Sequence, residues 1–169
     1  MATKWNLDPT HSEITFKVRH MMISNVKGAF NSFLAEIEAE DDTFKNAKVS
    51  ATINTDSIDT NNADRDAHLK SADFFNAEAN PTITFESTAL ADEITGNLTI
   101  NGVTKPVELE VEFGGINVDP WGNTKAGFSF EGKIKRSDFG LNWNAALETG
   151  GVLVSDDVKI SGDLQFVKG

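Results

Sequence analysis

Residues 94–113 read ITGNLTINGVTKPVELEVEF. Ile94, Gly96, Leu98 and Ile100 alternate with polar neighbours as far as Asn101-Gly102, and Val107, Leu109, Val111 and Phe113 return opposite Glu108, Glu110 and Glu112. A period of two marks a strand with one buried face, and Asn-Gly between two such runs is a favoured tight turn. The stretch is therefore an antiparallel hairpin. Pro106 is placed at the start of the returning strand, where its missing N–H does least harm.

The same period extends outward in both directions. In EITFKVRH (13–20), Ile14, Phe16 and Val18 lead in phase to His20, with Glu13, Thr15, Lys17 and Arg19 on the other side. Gly28 and Phe30 begin a second strand, but Phe33, Ala35, Ile37 and Ala39 have the opposite parity, so a bulge near Asn31 and Ser32 is expected to restore the phase. Val49, Ala51 and Ile53 mark a third strand, and Ile83 and Phe85 a fourth. Beyond the hairpin, residues 114–124 (GGINVDPWGNT) read as turn-rich. Ala126, Phe128, Phe130, Gly132 and Ile134 then alternate with charged or small residues, and Val158, Ile160, Gly162, Leu164 and Phe166 repeat the pattern. This makes eight strands. Amphipathic strands with short links and little helix bury their apolar faces best as an all-β, eight-stranded antiparallel barrel, with a two-sheet sandwich as the alternative. One domain is expected across residues 1–169.

Two segments break the pattern. Residues 57–75 allow a short helical segment near 62–75, with a helix from Ala63 to Leu69 and Ser71 capping a second turn over Ala72 to Phe75. Residues 136–151 (RSDFGLNWNAALETGG) form an irregular connection too apolar for a free loop. Both are expected to lie against the barrel ends.

Composition narrows the chemistry. Fifteen Lys and Arg against 26 Asp and Glu give a net charge of -11, which repels nucleic acid and anionic membrane surfaces over most of the molecule. With no cysteine there is no disulfide, thiolate ligand or cysteine nucleophile. The first residues contain no basic segment followed by an apolar run, and no stretch is long enough to span a bilayer as a helix. A cytoplasmic protein without stable membrane insertion is expected, or a secreted or periplasmic one if a leader has been removed.

An eight-stranded barrel is filled by its own side chains or holds one ligand. Small inward residues (Gly28, Ala51, Gly96, Ala126, Gly132 and Gly162) would leave room, though strand glycines also serve sharp bends. Twelve Phe and no Tyr would make any such cavity apolar. Among possible reactive groups, His11, His20 and His68 lack metal-site spacing, no GxSxG elbow exists, and no metal, cofactor or catalytic set is expected. Asp64, Arg65 and Asp66 suit a helix start, while Arg65, His68 and Leu69 share one helix face, which would set a cation beside an apolar contact. Phe74 and Phe75 could rim an opening.

Five segments together resemble the YceI-like family of lipocalin-like, polyisoprenoid-binding proteins: WNLDPTHSEITFKVRH, VKGAFNSF, SIDTNNADRDAHLKSADFFNAEANPTITFES, GNLTINGVTKPVELEV and IKRSDFGLNWN. The resemblance implies an extended lipocalin-like barrel around a long apolar chain, with a polar or phosphorylated head in some members, and a homodimer. It maps the family's motif positions onto Phe16, Val18, His20, Arg65, His68, Leu69 and Phe74, and onto Arg136, Asp138, Phe139 and Trp143. Arg65 or His20 is expected at the ligand head, with Asp138 holding Arg136 or capping backbone N–H groups. The alternation adds Phe30, Ile53, Phe85, Leu98, Phe128, Phe130 and Leu164 to the wall around the tail. The expected role is non-catalytic binding, transport or storage of a long-chain amphiphile: a polyisoprenoid, an isoprenoid quinone precursor or a fatty-acid derivative. An enzyme using His20 or His68 as acid and base, and a filled barrel acting through its surface, are the alternatives.

Overall fold

The computed structural model describes residues 2–21, 23–141 and 154–169. In chain order these form β1 (Thr3–Leu7), β2 (Glu13–His20), β3 (Ser24–Phe30), β4 (Phe33–Ala39), β5 (Lys48–Asn54), β6 (Ile58–Asp59), α1 (Ala63–Lys70), β7 (Thr82–Leu90), β8 (Glu93–Ile100), β9 (Val103–Val118), β10 (Thr124–Lys135) and β11 (Val154–Lys168). From β7 to β11 each strand pairs antiparallel with the next, and β4 and β5 continue the sheet from β7 to β1. The ring closes where β1 meets β11, with Trp5 opposite Lys168 and Leu7 opposite Phe166. The result is a closed eight-stranded antiparallel barrel.

One expected strand is split in two, and another, 13–20, is preceded by a half that the sequence reading did not include. Along one edge β11 carries β2 over Val154–Asp163 and then β1 over Phe166–Lys168, so β1 and β2 are halves of one long strand. Between them Asp8 caps a short 3-10 turn over Pro9–His11 by accepting from Thr10 N. Likewise β3 pairs with β2 and β4 with β1, and the break falls at Asn31–Ser32, where the parity of the apolar residues changes. The proposed bulge is thus an interruption of the strand.

The Asn101-Gly102 turn holds both residues at positive φ, 54° and 74°, as a tight hairpin twisted with its strands requires. Three details depart from the sequence reading. TKWNL, too short to display a period, is the strand that closes the ring. Gly114 and Gly115 do not end β9; they accommodate a bulge opposite Gly127–Phe128, and the strand continues to Val118. Pro106 lies inside β9 opposite Asn97, in a stretch where the ladder to β10, which starts at Glu110, has not begun, so it occupies an edge-like position.

One end of the barrel is closed by aromatic packing. Phe44, at φ 59° in the β4–β5 connection, turns into the core and sits 5.1 Å from Trp5, 5.3 Å from Phe113 and 5.0 Å from Phe128, ring centre to ring centre. Trp5 is fully buried and Phe166 nearly so. Each such side chain contributes about 2–3 kcal/mol through burial alone. At the other end β5 stops at Asn54 and β3 has only the two-residue β6 on its outer edge. The residues of α1 and the turns after it occupy that side.

Candidate functional site

The helix α1 begins where Asn62 accepts from Arg65 N at 3.0 Å, with Asp64 and Asp66 in its first turn. No residue of α1 is fully buried. It is positioned instead through Thr60, which is 4% exposed. Asp66 accepts from the Thr60 N–H and hydroxyl, while Arg65 donates from Nε to Thr60 Oγ1 at 2.8 Å and from Nη2 to Thr60 O at 2.7 Å. Two of the helix-start charges are therefore anchors as well as dipole partners. At the other end Ser71 caps α1 and accepts from Phe74 N, but residues 72–75 form hydrogen-bonded turns rather than a second helix.

The segment is tied to the hairpin and to the turn after β10. Asn80 Nδ2 donates to Asn101 Oδ1 at 3.0 Å, and Asn101 Nδ2 donates to Phe139 O at 3.3 Å. Beneath this cover lies an outer chamber of about 270 Å³ whose wall includes Phe16, Val18, His20, Phe30, Arg65, His68, Leu69 and Phe74. It meets an apolar inner chamber of about 160 Å³ inside the ring, and Phe30, Ile83, Ile100, Ile134 and Ile160 belong to both walls. Ile53, Phe85, Leu98, Phe128, Phe130 and Leu164 line the inner chamber. His11 lies far from His20 and His68, in a cluster with Asp8 at the opposite end of β11.

Several expected roles change. Phe139 is 1% exposed and packed into the core below the 3-10 turn Arg136–Phe139, and it lines neither chamber. Trp143 and most of the 136–151 connection lie outside the described residues. Asp138 does not hold Arg136. That guanidinium, 6% exposed, donates to the carbonyls of Leu141 at 2.7 Å, Ser155 at 2.9 Å and Val154 at 3.1 Å. Asp156, not Asp138, accepts from Ser137 N and Oγ. Burial pushes the Arg136 guanidinium below its usual value, with the Asp156 charge acting the other way.

The glycines do not leave the room expected of them. A Cβ at Gly28 would meet the Phe16 ring, and one at Gly162 would meet the Phe130 ring. Phe16 and Phe130 are their direct cross-strand partners, so each ring lies over its glycine. Gly96 and Gly132 are covered in the same way by Phe85 and Leu109.

Arg136 also borders the outer chamber, together with Val26, Phe75, Leu141, Val154 and Val158. Arg136 could be suspected from its signature but not placed, because its position depends on contacts with β11, far away in sequence. Among the described residues, the outer wall carries two guanidiniums and two imidazoles and no carboxylate. In a chain of net charge -11 the two guanidiniums make this wall locally positive, while the His68 ring is paired with the Asp73 carboxylate at 2.9 Å. Such a chamber can receive a polar or anionic group at its basic wall and an apolar chain beyond it.

A closed eight-stranded antiparallel β-barrel with one short helix at its side is a barrel of lipocalin-like type. The chain belongs to the YceI-like family, whose profile matches residues 5–166. It is similar to UPF0312 proteins of Staphylococcus epidermidis (42% identical over 166 residues) and Staphylococcus aureus (40% over 166 residues), in each case over 97% of both chains. Among solved structures, the Campylobacter jejuni YceI protein superposes with a TM-score of 0.77 at 35% identity, over 89% of this chain and 90% of that one. A polyisoprenoid-binding domain from Saccharophagus degradans shares the fold with a TM-score of 0.70 at 15% identity, over 98% of each chain.

Proposed function

We propose that this protein binds a long-chain amphiphilic lipid without transforming it, and transports or stores it with the tail in the inner chamber and the head in the outer one. The observation that carries this reading is the change of character between two adjacent chambers that share Phe30, Ile83, Ile100, Ile134 and Ile160, from a wall containing Arg65, Arg136, His20 and His68 to a wall built from aliphatic and Phe side chains. Each methylene withdrawn from water contributes about 0.8 kcal/mol, so a long tail binds firmly with one or two polar contacts at its head. A polyisoprenoid, an isoprenoid quinone precursor or a fatty-acid derivative fits this description. The polyisoprenoid-binding description of the Saccharophagus degradans domain supports the first of these.

The test is a pair of titrations of delipidated protein with a long-chain acid and the alcohol of the same chain, repeated on Arg65→Ala. Loss of a charge-assisted contact of about 1.5–3 kcal/mol weakens the acid roughly 10- to 100-fold and the alcohol much less. Equal loss for both removes Arg65 from the head. Failure of the unmodified protein to take up either lipid removes the carrier function.

A further inference from the structure

Four lysines lie in register across four adjacent strands. Lys133 of β10 is opposite Lys159 of β11, Lys159 is opposite Lys17 of β2, and Lys17 is opposite Lys27 of β3. At about 4.8 Å per strand they form a row about 14 Å long. Lys27, Lys133 and Lys159 are exposed and Lys17 is half-buried. Like charges directly opposite one another destabilise a sheet. Among the described residues the ion pairs of this protein use Lys4, Lys70, Lys125, Lys135, Lys168 and two histidines, and none of these four.

The same β2–β3 hairpin ends in an apolar tip. Ile23 is 77% exposed and Met21 is 43% exposed. Met21 holds φ 52°, a left-handed position that elsewhere among the described residues falls to Asn, to Gly or to Phe44, whose ring is buried in return. Met21, by contrast, is 43% exposed. Just inside the tip, Val18, His20 and Val26 of this hairpin belong to the wall of the outer chamber.

We infer that the β2–β3 hairpin and its lysine row form a docking surface for an anionic lipid bilayer, with Ile23 and Met21 entering the interface and the chamber mouth brought against the membrane. The inference rests on the carrier reading for its purpose. The net charge of -11 opposes approach at long range, but at physiological salt charges are screened beyond about 8 Å, so the contacting face decides. The lysine row borders a groove of about 900 Å³ that also carries Asp59, Glu93, Glu108, Glu110 and Glu131. Glu93, Glu108 and Glu110 lie on β8 and β9, while Glu131 on β10 and Asp59 on β6 flank the lysine row at its two ends, so an anionic surface would draw in the lysines at the centre of the β10–β11–β2–β3 side while turning the β8–β9 side away. A peripheral, salt-sensitive attachment results, distinct from insertion.

The test is co-sedimentation of the full chain with vesicles of phosphatidylcholine alone and with about one third phosphatidylglycerol added. Binding is expected only to the anionic vesicles and is lost in high salt. Lys17→Gln combined with Lys159→Gln should weaken it about thirtyfold, and Ile23→Asp should weaken it independently. Both variants should keep the parent's uptake of a lipid supplied from cyclodextrin and unfold at a temperature no lower than the parent's, the double lysine variant slightly higher because a facing like-charge pair is removed. Equal binding to neutral vesicles, absence of vesicle binding, unchanged binding by the variants, or capture of soluble polyphosphate in place of vesicles would each overturn the proposal. Vesicle binding without uptake from cyclodextrin would uphold the docking surface and remove the carrier function.

Discussion

Arg65 and Thr60 are joined twice, from Nε to the hydroxyl at 2.8 Å and from Nη2 to the carbonyl at 2.7 Å, while Asp66 holds the same threonine through its N–H and hydroxyl. One buried threonine thus orients the arginine on the outer wall and fixes the start of α1 beside the barrel. Thr60→Val keeps the shape and removes the hydroxyl. It is expected to lower stability by about 1–3 kcal/mol and to weaken an acidic lipid more than an alcohol of equal length. Thermal unfolding and paired titrations read both effects, and an unchanged result in both would separate Thr60 from the site.

Gly28 and Phe16 form the second test. Gly28→Val places its side chain where the Phe16 ring lies, with Thr60 Cγ2 also closer than van der Waals contact at 2.9 Å. Overpacking of this kind costs about 1–3 kcal/mol, and the displaced ring should narrow the outer chamber. Gly127→Ala is the control, since nothing stands within 4 Å of a Cβ there. Its stability should change by less than about 0.5 kcal/mol. Equal effects of the two substitutions would contradict the packing described.

The inner chamber should select for chain length. Leu98→Trp fills space on its wall, and each methylene then excluded would reduce affinity roughly fourfold, from about 0.8 kcal/mol per CH₂. A series of fatty acids of increasing length should therefore show an optimum at shorter chains in the variant. An unmoved optimum would mean that the tail does not reach Leu98.

Asp8 gives an acid-dependent term. Its carboxylate receives Lys125 Nζ at 2.8 Å, the Thr10 hydroxyl at 2.7 Å and His11 Nδ1 at 2.8 Å, and these contacts, Lys125 foremost, hold it well below its ordinary value of 3.8. A carboxylate lowered in the native state contributes stability that is fully present above the unfolded value and is lost as the pH falls toward the native one. Asp8→Asn should be less stable at neutral pH, and its deficit against the parent should shrink as the pH falls below 3.8. A deficit independent of pH would point to lost geometry rather than lost charge.

Much of the barrel was legible because its signals are local. Asn101-Gly102 and the alternating residues around it require a hairpin, and the parity change at Asn31–Ser32 marks a break. The closing strand was not legible. Trp5 and Leu7 acquire meaning only from partners on β4 and β11, more than 30 residues away in one case and at the other end of the chain in the other. Gly114-Gly115 resembled a turn because a glycine pair serves turns and bulges alike. Period two correctly assigned inward faces, but it does not state whether a glycine is open or covered by a ring, as Phe16 and Phe130 cover theirs. The basic character of the outer wall joins Arg65 with Arg136, which no spacing could bring together.

The most direct measurement is native mass spectrometry of protein purified without detergent, paired with an organic extract of the same sample. A defined additional mass that extracts as a long-chain lipid, and that shifts toward neutral-headed species in Arg65→Ala, is the expected result. Protein at its bare mass from both a native and a heterologous host, which also takes up no added prenyl or acyl lipid, would contradict it.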